Sequence, residues 1–356
     1  MKLLFVIIIL TFTFAQDEFF EPITSIGGYG ELHWNQTWDK DGNKISDQMD
    51  FHRFIIFISH NYTEKWSVKS ELEIEHNMID GSGDYDGEVE LEQAYVNYHA
   101  GNWGFKTGVI LASVGYINET HEPPTFLSVE RPDYAKYIIP TTWFGNGFGF
   151  YGNYSGIDWK VNFMEDLLEA GIGDGIRDAR GKGYKTTAYN WTKNVKVDYN
   201  GMSGINMGYS MIFNNAPDLT TLNSDGSVVN SVGVMLMELH GKYNKNNIMG
   251  TFEYGNISYT DNAVSKGTSG YYLDIGYDIS DMVGYDGKIV PWFRYGNISK
   301  DIDTSDTDAQ YNVMKFGVAY WPVNQVVFKA DYGTTIYPNH SSKDGKSINI
   351  GMGYMI

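Results

Sequence analysis

The chain has 356 residues and no cysteine, which excludes disulfides, thiolate metal sites and a cysteine nucleophile. Glycine (40) and aromatic residues (27 Tyr, 19 Phe, 9 Trp) are abundant, and proline is scarce at 9. Lys and Arg number 26 against 44 Asp and Glu, a net charge of −18, the wrong sign for a protein that grips nucleic acid through its phosphates.

Met1-Lys2 is followed by the apolar stretch Leu3 to Phe14, closing on Thr13-Phe14-Ala15. One positive charge, a short apolar region and small residues at the −3 and −1 positions predict a secretory signal peptide over 1–15, cut after Ala15. Residues 16–24 follow as an N-terminal leader. Beyond the signal, no apolar run approaches the roughly 18 residues a membrane helix needs.

From residue 25 to 356 the dominant pattern is period two. In Trp66–His76 the apolar phase is Val68, Leu72 and Ile74, and the opposite phase is Lys69, Glu71, Glu73 and Glu75. In Ser347–Ile356 it is Ile348, Ile350, Met352, Tyr354 and Ile356, against Asn349, Gly351 and Gly353. The pattern predicts strands at 25–35, 49–60, 66–76, 88–98, 103–111, 145–154, 157–164, 190–200, 204–213, 231–243, 247–259, 269–279, 287–297, 310–321, 325–335 and 346–356. Most are long enough to cross a bilayer when tilted. Between Glu92 and Ala94 the apolar phase flips, which predicts a β-bulge.

Connectors alternate in length. Short ones include 61–65, 99–102, Ser155-Gly156, 201–203, 244–246 and 322–324; long ones include 36–48, 77–87, 112–144, 165–189, 214–230 and 298–309. That rhythm, with an even strand count, predicts a single sixteen-stranded antiparallel transmembrane β-barrel with both chain ends on the periplasmic rim. Tyr29, Trp34, Trp66, Tyr98, Trp103, Trp159, Trp191, Tyr199 and Trp321 fall near strand ends, where an aromatic girdle would lie. A barrel of this size is expected to hold a water-filled lumen rather than a packed core.

The longest connector, 112–144, holds Pro123, Pro124, Pro132 and Pro140 and is rich in Phe, Tyr and Ile. Its motifs Asn118-Glu119-Thr120-His121-Glu122-Pro123-Pro124-Thr125-Phe126, Val129-Glu130-Arg131-Pro132 and Ile138-Ile139-Pro140-Thr141-Thr142-Trp143 resemble the phosphate-selective porin O and P family of bacterial outer-membrane porins. Gly28-Tyr29-Gly30-Glu31-Leu32-His33 and Val327-Phe328-Lys329-Ala330-Asp331-Tyr332 are similar to it as well. The resemblance spans nearly the whole mature chain. It implies a sixteen-stranded barrel, usually a homotrimer, with the third loop folded inward as a constriction. The end Asn349-x-Gly351-x-x-Tyr354-x-Ile356 resembles the signal read by the outer-membrane assembly machinery, which usually ends in Phe.

The function expected is an outer-membrane porin, set in lipid bilayer and lipopolysaccharide, through which small hydrophilic solutes and ions diffuse passively. No cofactor or metal is expected. Constriction candidates are Glu119, His121, Glu122, Glu130, Arg131 and Asp133. Lumen-wall candidates are Lys69, Glu71, Glu73, Glu75, Glu88, Glu90, Glu92 and Arg294, with some of the glutamates expected to pair with Lys69 or with basic residues of the inserted loop. Arg177, Arg180, Lys182 and Lys185 form a candidate basic patch at the mouth. Selective oxyanion passage needs a dense run of basic residues, whereas this chain has five arginines and an acidic stripe, so little anion preference is expected. The alternatives are a phosphate or anion channel, and a receptor or adhesin whose long loops bind a partner. The acidic runs 80–88 and 301–308 lack EF-hand spacing. No nucleophile stands at a readable spacing from a base, so no enzyme is expected.

Overall fold

The alternating segments become β1 (Ile23–Asp39), β2 (Lys44–Asn61), β3 (Trp66–Glu75), β4 (Glu88–Ala100), β5 (Trp103–Leu111), β6 (Phe144–Tyr154), β7 (Ile157–Met164) and β8 (Thr192–Met202). The second half supplies β9 (Ile205–Pro217), β10 (Ser231–Lys245), β11 (Ile248–Thr260), β12 (Gly267–Tyr277), β13 (Lys288–Ser299), β14 (Gln310–Val323), β15 (Val326–Ile336) and β16 (Gly345–Met355). This computed structural model describes residues 20–78, 87–261, 265–303 and 308–356. The signal peptide at 1–15, the first four residues of the leader, residues 80–86 of one acidic run and 304–307 of the other lie outside the described residues.

Each strand pairs antiparallel with its sequence neighbours, and β1 pairs with β16 as well as β2, so the sheet closes on itself. Closure gives every strand a partner on both sides and leaves no edge of bare backbone groups, which apolar surroundings would not tolerate. The turns on one rim are tight. Ser155-Gly156 and Asn246-Asn247 place both central residues at positive φ (53° and 81°; 54° and 63°), the backbone that matches the twist of a two-residue hairpin.

Alternation sorts the faces. On β10, Met237 and Leu239 are exposed, whereas Leu236, Glu238 and His240 are buried. On β8, Val195 and Val197 point outward and Asn194, Lys196 and Asp198 inward. The bulge lies where expected: Glu71 opposes Gln93 and Leu72 opposes Leu91, leaving Glu92 as the extra residue.

Three expectations need correction. The connector 36–48 is mostly strand, because β1 and β2 continue as a ladder to a turn at residues 40–43. Thr37–Ser46 and Trp34–Asp47 side-chain bonds hold that extension, and its two polar faces hid it from a search for apolar alternation. Exposed Trp66 and Trp103 do form a contiguous aromatic run with half-buried Tyr98 between them, with ring centres 4.9 and 5.6 Å apart, but Tyr29 and Trp321 are buried on the inner face. The interior is also far from empty. Ile212, Val232, Val234, Leu236, Ile257, Tyr272, Ile298 and Val313, on β9–β14, share one buried cluster with Val114, Tyr134, Ile138, Ile139 and Trp143 of the connector 112–143. Leu167, Ile172 and Ile176 of the connector 165–191 join it. These strands are apolar in both phases over part of their length, which packing on both faces explains.

Candidate functional site: a long loop bound to the inner wall

Residues 112–143 leave β5 and return to β6 through a closed neck. The Ala112 amide donates to the Trp143 carbonyl (2.9 Å), and the Asn118 side chain donates to both the Ala112 (2.8 Å) and Trp143 (3.2 Å) carbonyls. Asn118 Oδ1 accepts from the Trp143 amide (2.7 Å), so one side chain saturates the neck.

Beyond the neck, inward side chains of the wall satisfy loop backbone. Asn194 of β8 exchanges two bonds with Ser113, both at 2.8 Å. Glu253 of β11 accepts from the amides of Tyr116 (2.9 Å) and Ile117 (3.1 Å) and from the Tyr272 hydroxyl (2.7 Å). The turn that presents those amides needs Gly115. Its φ is +59°, and a Cβ there would lie 2.4 Å from both Glu253 Oε2 and the Ile139 side chain.

The other end is fixed to different strands. Asp331 of β15 accepts from the Val129 amide (2.8 Å), Lys329 donates to the Ser128 carbonyl (2.8 Å), and Tyr311 of β14 donates to Asp133 (2.8 Å). Apolar contact follows the same logic. Ile138 and Tyr134 sit over Gly255 of β11, where any side chain would collide with them, and Ile138 reaches Gly270 of β12, where a Cβ would lie 3.2 Å from it. Pro123 covers Gly353 of β16 in the same way. The loop is thus bound to β1, β8, β11–β16, arcs on opposite sides of the closed ring.

The constriction candidates are not gathered at one point. Glu119 bridges Lys160 of β7 (2.6 Å) and Lys196 of β8 (2.7 Å). Burial opposes its ionisation, yet the two ammonium groups hold the carboxyl well below the usual carboxylate range. Glu130 meets His33 Nδ1 (2.8 Å) and Asn35 (2.7 Å) on β1; against the cost of burial, the His33 bond brings it down to about 2. Burial pushes Glu122 up. Asp133 is held by Tyr311, and His121 is buried beside β4 with its Nε2 4.0 Å from Glu92. Arg131 keeps a buried Nη2 without a hydrogen-bond partner among the described residues.

Along the wall, Glu73 faces Glu90 and Glu75 faces Glu88, so the acidic stripe is paired across one hairpin as expected. The expected compensation is corrected. Lys69 is exposed and has no ion pair among the described residues, whereas Arg53 of β2 reaches Glu31 (2.7 Å), Glu73 (3.3 Å) and Glu75 (3.8 Å). Arg53 stands directly opposite both Glu31 and Glu75 in the ladder, which brings its guanidinium to them. Arg294 forms a bidentate pair with Asp274 (2.6 and 2.7 Å) and reaches the Glu130 carbonyl (3.4 Å).

The basic residues of connector 165–191 also spread out. Arg180 donates to the carbonyls of Pro140 (2.9 Å) and Thr142 (2.5 Å), Arg177 approaches the Thr141 carbonyl (3.4 Å), and Lys182 pairs with Glu88 and Glu90. Lys185 is exposed over the Tyr184 ring. The anchors Lys160, Asn194, Lys196 and Glu253 are not among the residues singled out by sequence, and Asp331 stands there only within the segment 327–332. Their signal was present: a polar residue between two apolar ones, as in Val195-Lys196-Val197.

No family model matches the chain. An uncharacterized protein of Aquifex aeolicus is 27% identical over 347 residues, which cover 90% of this chain and 77% of that one. Among solved structures, the anion-selective porin from Comamonas acidovorans matches with a TM-score of 0.64 and 10% identity, over 94% of this chain and all of that one. OmpF of Salmonella typhi, in complex with daunomycin, gives 0.64 and 10% over 94% and 97%. A trimer form of the outer-membrane protein OmpT of Vibrio cholerae gives 0.57 and 11% over 94% and 99%. At these identities the likeness is one of fold: the chain has the closed β-barrel architecture of outer-membrane porins.

Proposed function

We propose that this chain is a bacterial outer-membrane porin through which small hydrophilic solutes and ions diffuse passively. The observation that carries this reading is a closed sixteen-strand barrel with an exposed apolar outer face and buried charged side chains on the inner one. Lipid covers the first face and the second borders a polar path. The anchoring of residues 112–143 to opposite arcs supports a loop that folds inward and narrows the path. The N-terminal pattern supports export with cleavage after Ala15, the trimer form of the Vibrio cholerae protein supports a homotrimer, and the terminal pattern Asn349-x-Gly351-x-x-Tyr354-x-Ile356 supports insertion by the assembly machinery. Kinship with the phosphate-selective porin O and P family rests on the loop motifs and on the segments 28–33 and 327–332 of the sequence.

The solute preference follows from where the guanidiniums go. Arg53 and Arg294 are committed to carboxylates and Arg180 to carbonyls, which leaves no run of free arginines to hold an oxyanion. The reading is therefore a narrowed channel with a weak preference for cations. Planar-bilayer recordings under a KCl gradient test it. Stepwise conductance with a cation-side reversal potential is expected, and deletion of residues 119–136 should raise the step. A barrel that does not conduct would favour a receptor or adhesin, a reading the packed cluster along β9–β14 supports. A chloride-side potential that shifts on adding phosphate would favour an anion channel.

A further inference from the structure

One group of side chains is left without a chemical account. Glu71 of β3, Glu92 at the bulge of β4 and His121 of the loop each offer a ligand atom, and the three atoms lie within 4.8 Å of one another. All three residues are almost fully buried, at 2%, 2% and 4% exposure. Glu71 Oε1, Glu92 Oε2 and His121 Nε2 have no hydrogen-bond partner among the described residues. Three buried lone-pair atoms turned toward one another are costly unless something positive or a proton stands between them.

The histidine is arranged as a ligand. Its Nδ1 lies 3.1 Å from the Asn118 carbonyl, which can only accept, so Nδ1 carries the proton. Nε2 is then the bare lone pair, and it is the atom that faces Glu92 at 4.0 Å. A backbone carbonyl behind one ring nitrogen and an open lone pair on the other is the arrangement that orients imidazole for a metal. Glu71 is steadied likewise, since Gln93 donates to its other oxygen. The bulge matters too, because the extra residue there is Glu92 itself. The nearby cation Arg53 is engaged by Glu31 and Glu73.

We propose that Glu71, Glu92 and His121 form a binding site for one divalent transition-metal cation, which ties the loop to strands β3 and β4. Two carboxylate oxygens and one imidazole nitrogen suit Zn²⁺ or Mn²⁺. The rivals are a proton shared by the two carboxyls, and the Arg131 guanidinium turned inward. Neither leaves room for a metal.

The test uses the refolded full barrel in detergent, stripped with EDTA and titrated with Zn²⁺ or Mn²⁺ alone at pH 8, with metal content read by mass spectrometry. One ion per chain is expected, with an anomalous diffraction peak between the three side chains. His121→Gln and Glu92→Gln should each weaken binding by at least about ten-fold. His76→Gln, in the separate Asp50/His52/His76 group, should leave it unchanged. Retained heat-modifiable migration on gels shows that the variants still fold, and the anomalous peak locates the ion in the unaltered chain without any variant. No stoichiometric binding at pH 8, or binding that follows His76 and not His121, overturns the proposal.

Discussion

The inner wall has two unlike arcs that hold the same loop by different physics. Along β9–β14 the loop is packed: Ile138 and Tyr134 lie in hollows left by Gly255 and Gly270, within a cluster that shares Ile257, Tyr272 and Ile298. Along β1–β4 it faces charge: Glu31, Glu71, Glu73 and Glu92 surround Arg53 and His121. Apolar burial is non-directional and tolerates any fit that excludes water, whereas buried charge demands a partner for each atom. The packed arc is therefore where the loop gains its stability, and the charged arc is where its position is specified.

The largest expected effect is on the packed arc. Ile138→Ala leaves a cavity between the loop and two glycine-bearing strands and should cost about 2–5 kcal/mol. Val195→Ala, on the exposed face of β8, should cost well under that in the same urea unfolding of the micelle-bound barrel. Equal losses at the two positions would erase the distinction between inner and outer faces. Next comes Glu253→Gln, which leaves too few acceptors for the Tyr116 and Ile117 amides and the Tyr272 hydroxyl. Hydrogen bonds to a charged group are worth about 1.5–3 kcal/mol, and the loss should appear as faster proteolysis within 112–143. An unchanged cleavage rate would count against Glu253 as an anchor.

The strands were legible because one face of each is exposed and apolar, so Val195/Val197 against Asn194/Lys196/Asp198 writes the period into the sequence. The bulge at Glu92 was legible for the same reason, as a break in phase. What escaped was everything that depends on the far side of the ring. Nothing near Lys196 in the sequence announces Glu119, 77 residues away, and nothing near Asp331 announces the Val129 amide, 202 residues away. The extended β1–β2 hairpin escaped because two wet faces give no alternation. Tyr29 and Trp321 were misplaced because an aromatic near a strand end carries no mark of which face it occupies.

Acid should act on the ion pairs of the loop before its apolar packing. In the folded chain Glu119 and Glu130 both ionise below their ordinary value of 4.5, with Glu130 at about 2. Stability from a depressed carboxyl is complete above the unfolded value and disappears as pH falls through the folded one. Protection of the loop amides from hydrogen exchange, corrected for the intrinsic pH dependence of exchange, should therefore hold steady from pH 7 to about 5 and decline between about 4.5 and 2. A decline that begins above pH 6 would point to the histidines instead.

The smallest expected effect belongs to Lys182. It is exposed and pairs directly with Glu88 and Glu90, so Lys182→Ala should change stability by no more than about 1 kcal/mol. Its consequence should be electrostatic. Removing one positive charge from beside two carboxylates of β4 makes that stretch of wall more negative, which deepens the preference for cations. The reversal potential under a KCl gradient should move toward the potassium value at low salt and return as salt is raised, because screening reaches an exposed pair. Arg53→Gln strips its charge from a buried group of carboxylates instead, and salt cannot restore what it loses. A Lys182→Ala shift that persists at 1 M KCl would place that lysine with the buried set and blur the boundary between a structural charge and a solvated one.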